Sequence, residues 1–146
     1  MKTKSLILVL CFSALILFGF QVLSPSTTAF TLNATVDIKP DTINLNREGR
    51  WITAYISLPE GYNASDIDTS SILLEDMFSP EWNSIEGGML MAKFDSSAVI
   101  NYLWGKLYHM GGNRVFIELT VTGKLVDGTL FAGSDTVTIM DPMAET

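Results

Sequence analysis

Arg50-Trp51-Ile52-Thr53-Ala54-Tyr55-Ile56-Ser57-Leu58 decides how the rest of this 146-residue chain is read. Successive side chains of an extended strand point to opposite faces. Ile52, Ala54, Ile56 and Leu58 therefore share one side, and Trp51, Thr53, Tyr55 and Ser57 the other. Strand formers fill the stretch, and Pro59-Glu60-Gly61-Tyr62-Asn63 closes it with turn residues. The alternation predicts a strand with an aliphatic face in a core and an aromatic-polar face near water.

Upstream, residues 30–38 alternate in the same way, with Leu32, Ala34, Val36 and Ile38 on one face; Lys39-Pro40-Asp41 breaks the run. Residues 42–45 predict a short strand with Ile43 and Leu45 inward, and 46–49 a polar turn. Downstream, 59–69 reads as a long loop, 71–74 as strand, and 81–86 as a further short strand. Gly87-Gly88 is a turn signal. Residues 89–94 follow, with Leu90, Ala92 and Phe94 on one face. In 95–104 the period changes: Ala98, Val99, Tyr102 and Leu103 recur at helical spacing, and Asp95 or Ser96 is placed to cap. Residues 110–113 form a glycine turn. Residues 114–125 predict the longest late strand, with Val115, Ile117, Leu119 and Val121 inward. Asp127-Gly128 marks a hairpin, and 134–140 is the last strand, with Val137 and Ile139 inward. About seven short strands between turn signals predict an all-β fold, an antiparallel immunoglobulin-like β-sandwich whose one short helix, near 95–104, covers an end.

The first 29 residues belong to no sandwich. Lys2 and Lys4 precede an uncharged apolar run at 5–20, then a polar, small-residue stretch with Pro25. This is the layout of a secretory signal peptide, an N-terminal signal helix cut after Ala29, with Thr27 and Ala29 as the small residues at the cut. An uncleaved anchor helix is the alternative, since 5–23 could just span a bilayer. Export assigns 30–141 to the sandwich and 142–146 to a disordered tail. Cleavage removes Cys11, the one cysteine, so the mature domain forms no disulfide. It also removes both signal lysines: Lys+Arg falls from 9 to 7 against 16 Asp+Glu, and the net charge moves from −7 to −9. Such a surface repels nucleic acid and anionic lipid. The expected location is secreted or cell-envelope, with membrane contact only through an uncleaved signal segment.

The stretches 36–46 (V-D-I-K-P-D-T-I-N-L-N), 51–74, 91–95 (M-A-K-F-D) and 119–139 together resemble a family of secreted β-sandwich domains, common in archaeal surface proteins, that open with V-D-I-K-P or V-D-I-D-P. The resemblance covers most of the mature chain in order. It implies a non-catalytic extracellular module. Many such domains carry an Asp-rich D-x-D-G-D-G loop before the strand matching 89–94, which holds calcium through several carboxylates. Here that place reads Ser84-Ile85-Glu86-Gly87-Gly88-Met89, with Glu86 the only carboxylate, so the calcium site is not carried over.

The residue inventory argues against an enzyme. His109 is the only histidine and reads as an ordinary loop or surface residue; no serine sits in a nucleophile elbow. No cofactor is expected. A weak calcium site at Asp66 and Asp68, which an extended chain turns to the same side, stands against Asp68 simply closing a turn. Glu75-Asp76 and Asp127 add further acids. Asn33 and Asn63 head N-x-S/T triplets and are glycosylation candidates in an exported chain, Asn63 the better placed because it lies in a loop. Trp51, Tyr55, Trp82, Trp104, Tyr108 and Phe116 are many large aromatics for a small domain. Trp51, Tyr55 and Phe116, if they share a face, make an interaction platform for a sugar or a protein; otherwise they pack under the helix. Two functions follow from the sequence: a structural or interaction module whose partners are cell-surface or extracellular proteins, including its own copies, and a calcium- or carbohydrate-binding module.

Overall fold

The computed structural model describes residues 29–47, 49 and 51–141. Of the signal segment expected at 1–29, residues 1–28 with Cys11 lie outside the described residues, as do the tail expected at 142–146 and Glu48 and Arg50. The alternating run at 30–38, expected as one strand, is two. β1 (Thr31–Asn33) pairs in parallel with the last strand, whereas β2 (Thr35–Lys39) pairs antiparallel with the organising strand, β4 (Trp51–Ser57). The chain changes sheets at Ala34, then returns to the last strand through β3 (Thr42–Asn44). After a 3-10 turn at Ala64–Asp66 come β5 (Ile67–Leu74), β6 (Trp82–Glu86) and β7 (Met89–Asp95). Helix α1 (Ser96–Met110) leads to β8 (Arg114–Leu125) and β9 (Leu130–Met140). One sheet runs β1-β9-β8-β5, with β3 also on β9; the other runs β2-β4-β7-β6. The result is a mostly antiparallel β-sandwich with one helix.

The two sheets bury their facing sides in one cluster. Ile52, Ala54 and Ile56 of β4 and Leu90, Ala92 and Phe94 of β7 meet Val115, Ile117, Leu119, Val121, Val137 and Ile139 of β8 and β9. Each fully buried aliphatic side chain contributes roughly 1.5–3 kcal/mol, so the register of every one of these strands is pinned: a slip of one residue turns its apolar set out to water. The sheet change at Ala34 has its own fastenings. The Ala34 N–H donates to the Ala132 carbonyl at 2.8 Å, and Asp135 of β9 accepts the Ile38 N–H of β2 at 2.7 Å, joining one sheet to the other. Gly133 lies at this seam because a β-carbon there would run into the Ala34 carbonyl and the Val36 side chain.

Three element bounds differ from expectation. α1 runs six residues past 104, because Val99, Ile100, Leu103 and Leu107 continue one buried stripe across Gly105. The mid-helix glycine costs about 1 kcal/mol, which burial of Leu107 offsets. Asp95 caps the helix start by accepting from the Ser97 N–H at 3.1 Å, and Gly111, at φ 70°, ends it. β5 starts at Ile67, inside the expected loop. Its pairing with β8 shifts between Asp68 and Leu73, and this bulge interrupts the alternation that would have revealed it. β9 starts four residues early, at Leu130, where it continues the hairpin from Asp127-Gly128.

Candidate functional site

The outward face of the β2-β4-β7-β6 sheet carries Trp51, Tyr55 and Trp82, three of the six aromatic side chains singled out in the sequence. The register sets Asp37 beside Tyr55 and Tyr55 beside Met91, with Ser84 beyond. The next row is Lys39, Thr53, Lys93 and Trp82. The Lys93 ammonium lies 4.5 Å from the centre of the Trp82 ring, a cation–π contact. A shallow cavity of about 370 Å³ opens on this face, lined by Thr35, Asp37, Lys39, Tyr55, Ser57 and Met89. Lys39 bonds to Asp41 at 2.6 Å and Asp37 at 3.0 Å, and these carboxylates hold its ammonium above the ordinary lysine range. The three side chains are exposed, so the cluster adds little to stability.

Phe116 does not join Trp51 and Tyr55. It stands 69% exposed on the outward face of β8, in the other sheet, so the shared face on which the three-residue platform depended does not form. Alternation tells which residues share a strand face; it does not tell which sheet the strand joins. Tyr55 remains half-buried beside the cavity. Trp51 lies nearer the helix, where a second cavity of about 280 Å³ is bounded by Arg47, Trp51, Ser96 and Ile100. Trp104 packs against the core, and Tyr108 is 86% exposed near the helix end.

Asp66 and Asp68 lie in successive elements and make different bonds. Asp66 ends the 3-10 turn and gives its carbonyl to the Val126 N–H at 2.8 Å. The Asp68 carboxylate accepts from the hydroxyl of Ser70 at 2.6 Å and from its N–H at 3.1 Å, closing a turn on itself. Those bonds hold its pKa below the usual carboxylate value. Asp66 is the last residue of the 3-10 turn and Asp68 lies in β5, so the two acids belong to different elements and not to one extended run. Among the described residues, no group of three or more His, Cys, Asp or Glu side chains is arranged to hold a metal ion.

His109, expected as a loop or surface residue, is exposed in the last turn of α1 beside Tyr108, with ring centres 5.8 Å apart. Asn33 ends β1 and is exposed. Asn63 caps the 3-10 turn through its Oδ1, which accepts from the Ser65 N–H at 3.1 Å. That bond leaves Nδ2, the atom a glycan takes, outside the cap.

Glu75, read from the sequence only as a further acid, has a structural role that the sequence did not reveal. It sits at φ 53°, in the left-handed region, and its carboxylate accepts from the Tyr102 hydroxyl at 2.7 Å and the Thr120 N–H at 2.8 Å. Burial and then Glu75 raise the Tyr102 pKa above its ordinary value. Phe78 packs edge-on to Tyr102 at 5.7 Å. The cluster fastens α1 to β8 and to the turn after β5. Its only sequence signal was an acidic pair directly following an apolar strand.

Comparison with known protein families and with characterised proteins finds no match to this chain.

Proposed function

We propose that this chain is a non-catalytic module of the extracellular space or cell envelope that works by contact with other surface proteins. The observation that carries this reading is the use of its carboxylates. Glu75, Asp95, Asp68, Asp127 and Asp135 each accept a backbone N–H of the domain itself. Catalysis by carboxylates needs groups left free to face a substrate and to exchange protons with it; these five are committed to the fold. The extracellular placement is supported by the export layout of 1–29 and by the V-D-I-K-P resemblance. An immunoglobulin-like architecture is supported by the strand order: β2-β4-β7-β6 opposite β9-β8-β5 corresponds to the A-B-E-D and G-F-C sheets of a constant-type domain.

A carbohydrate-binding module is the second reading. It is favoured by the cavity at Tyr55, where an aromatic ring stands among the hydroxyls of Thr35 and Ser57 and the carboxylate of Asp37. The test is a pull-down from envelope extract with the exported protein as bait, with and without chelator and with and without competing oligosaccharide. Capture of surface proteins unaffected by either additive is expected. Elution by oligosaccharide transfers the function to the Tyr55 cavity, elution by chelator to a calcium site. No enrichment over an unrelated β-sandwich rejects the contact module.

A further inference from the structure

Among the described residues, β6 is the least protected edge strand of this sandwich, with the charge of Glu86 alone on it. It stands last in the order β2-β4-β7-β6, with β7 on one side and, among the described residues, no strand on the other. The other edges are blunted, as edge strands of soluble domains usually are. β2 has its Ile38 N–H taken by Asp135 and runs into Lys39 and Pro40. β5 is bulged between Asp68 and Leu73. β1 and β3 have three residues each. β6 has five, in unbroken register with β7, and contains no Lys, Arg, Pro or Gly.

Its backbone and side chains are set out for a partner. The two-residue turn Gly87-Gly88 makes Glu86 and Met89 the hydrogen-bonded pair beside the turn. By the alternation of an antiparallel ladder, the peptide groups of Asn83 and Ile85 then point to the open side. Exposed apolar side chains gather at the same hairpin: Trp82, Ile85 and Met89 are 43%, 49% and 39% exposed. Ile85 pairs with the fully buried Leu90 and so lies on the core side of the sheet, yet about half of it stays exposed. β6 overhangs the facing sheet.

We propose that β6 pairs antiparallel with β6 of a second copy of this chain, about a two-fold axis through Ser84, joining two four-stranded sheets into one. This names the partner and surface within the contact-module reading and rests on it. The pairing is self-complementary. Asn83 of each copy meets Ile85 of the other, and these are the residues whose peptide groups point to the open side. On the core side, the two Ile85 side chains become diagonal neighbours and cover one another. On the outer face, Trp82 meets Glu86 of the second copy. The row then reads Lys93, Trp82, Glu86 of the second copy, with the Lys93 ammonium already over the indole and a carboxylate arriving on its far side. Glu86 is the only charge on the strand, so no like charges face each other there. A five-residue edge contact lies at the low end of specific interfaces, below about 1,200 Å². It belongs to the weak, concentration-dependent class, with a Kd on the order of 10–100 µM.

The test is sedimentation equilibrium of the protein recovered from its exporting host, from about 1 µM to 1 mM, a span that brackets that Kd. A reversible monomer–dimer equilibrium is expected. Ile85→Lys places a charge on the exposed core-side position, and Asn83→Pro removes only an edge-facing N–H, a change edge strands accept. Each should leave the melting temperature within a few degrees and abolish the dimer. Phe116→Lys, on the opposite sheet, should leave the dimer intact. Ser84→Cys gives an independent readout in a mature chain expected to hold no other cysteine. The two sulfurs would stand on facing residues about 4.5 Å apart at Cα, within disulfide reach, and should form a crosslinked dimer on mild oxidation. A monomer throughout the concentration range, or a dimer that survives both Ile85→Lys and Asn83→Pro, overturns the proposal. A monomer that still captures surface proteins in the pull-down overturns the β6 pairing alone; a β6 dimer that captures nothing retains the pairing and rejects contact with other proteins.

Discussion

Two turns of this molecule adopt the same left-handed backbone by opposite means. Gly87 and Gly88, between β6 and β7, have φ 57° and 81°; Glu75 and Asp76, after β5, have φ 53° and 56°. The Met77 N–H closes the second turn on the Leu74 carbonyl at 3.1 Å. At the first, a β-carbon would meet no atom within contact distance, and glycine serves only the backbone. At the second, each non-glycine residue costs about 1–2 kcal/mol in this conformation. The side chains offset that cost. Glu75 binds the Tyr102 hydroxyl and the Thr120 N–H, and Asp76 accepts from the Thr122 hydroxyl at 2.9 Å. Hydrogen bonds to a charged group contribute about 1.5–3 kcal/mol each, so bonding outweighs strain. One turn is a local matter; the other is held by residues of β8 and α1.

The largest effect is expected at Glu75. Glu75→Ala keeps the strained backbone and leaves the Thr120 N–H and the Tyr102 hydroxyl without their acceptor, so urea unfolding should show a loss of about 3 kcal/mol. Glu75→Gly loses the same bonds but relieves the backbone, and should recover about 1 kcal/mol of that loss. Equal losses in the two variants would mean that the left-handed backbone at Glu75 carries no strain. Gly88→Ala should cost about 1–2 kcal/mol, purely from conformation, since alanine brings no partner. A neutral Gly88→Ala would remove the distinction between the turns.

Tyr102→Phe should cost about 1 kcal/mol near neutral pH, the worth of one net hydrogen bond. It should also alter the alkaline limb. The folded Tyr102 holds its proton more tightly than its ordinary value of 10.0, because burial and then Glu75 disfavour the phenolate. The folded state therefore binds more protons above pH 10. The contribution is fully present below pH 10 and is lost as pH rises through the raised folded pKa. Thermal melts from pH 8 to 12 should fall less steeply for Tyr102→Phe than for the parent.

The smallest effect belongs to the turns closed by Asp68 and Asp127. Bonds from Ser70 and from the Thr129 N–H hold these carboxylates below their ordinary value of 3.8. Depressed pKa values contribute stability above pH 3.8 that is lost as pH falls through the folded values. Asp68→Asn should flatten the acid limb of melting temperature against pH slightly. An unchanged acid limb would show that Asp68 does not take part in it.

The two turns also mark what could be read from residues alone. Gly87-Gly88 was legible because glycine pairs announce a left-handed turn. Glu75-Asp76 was not, because glutamate disfavours the conformation and its partners lie 27 and 45 residues away. The faces of β4, β7 and β8 were legible through strict alternation. β5 was not, because its bulge breaks that period. The helix was placed correctly at its cap but cut short at 104, where only contact with the core shows that Leu107 continues the buried stripe. Trp51, Tyr55 and Phe116 were each read on the outward side of a strand, and each lies there; their grouping failed because β4 and β8 belong to different sheets.

By itself the sequence determined the class of fold, the inward and outward residues of the long strands and the chemistry of the glycine turn, all of which follow from steric rules acting over a few neighbours. Tertiary structure alone decided that residues 30–38 divide between two sheets at Ala34, that Asp135 reaches Ile38 across 97 positions, and that β6 overhangs its facing sheet. Alternation along a strand reports which side is apolar, but the neighbour that covers that side is chosen by packing between segments far apart in the chain, where no local period carries the information.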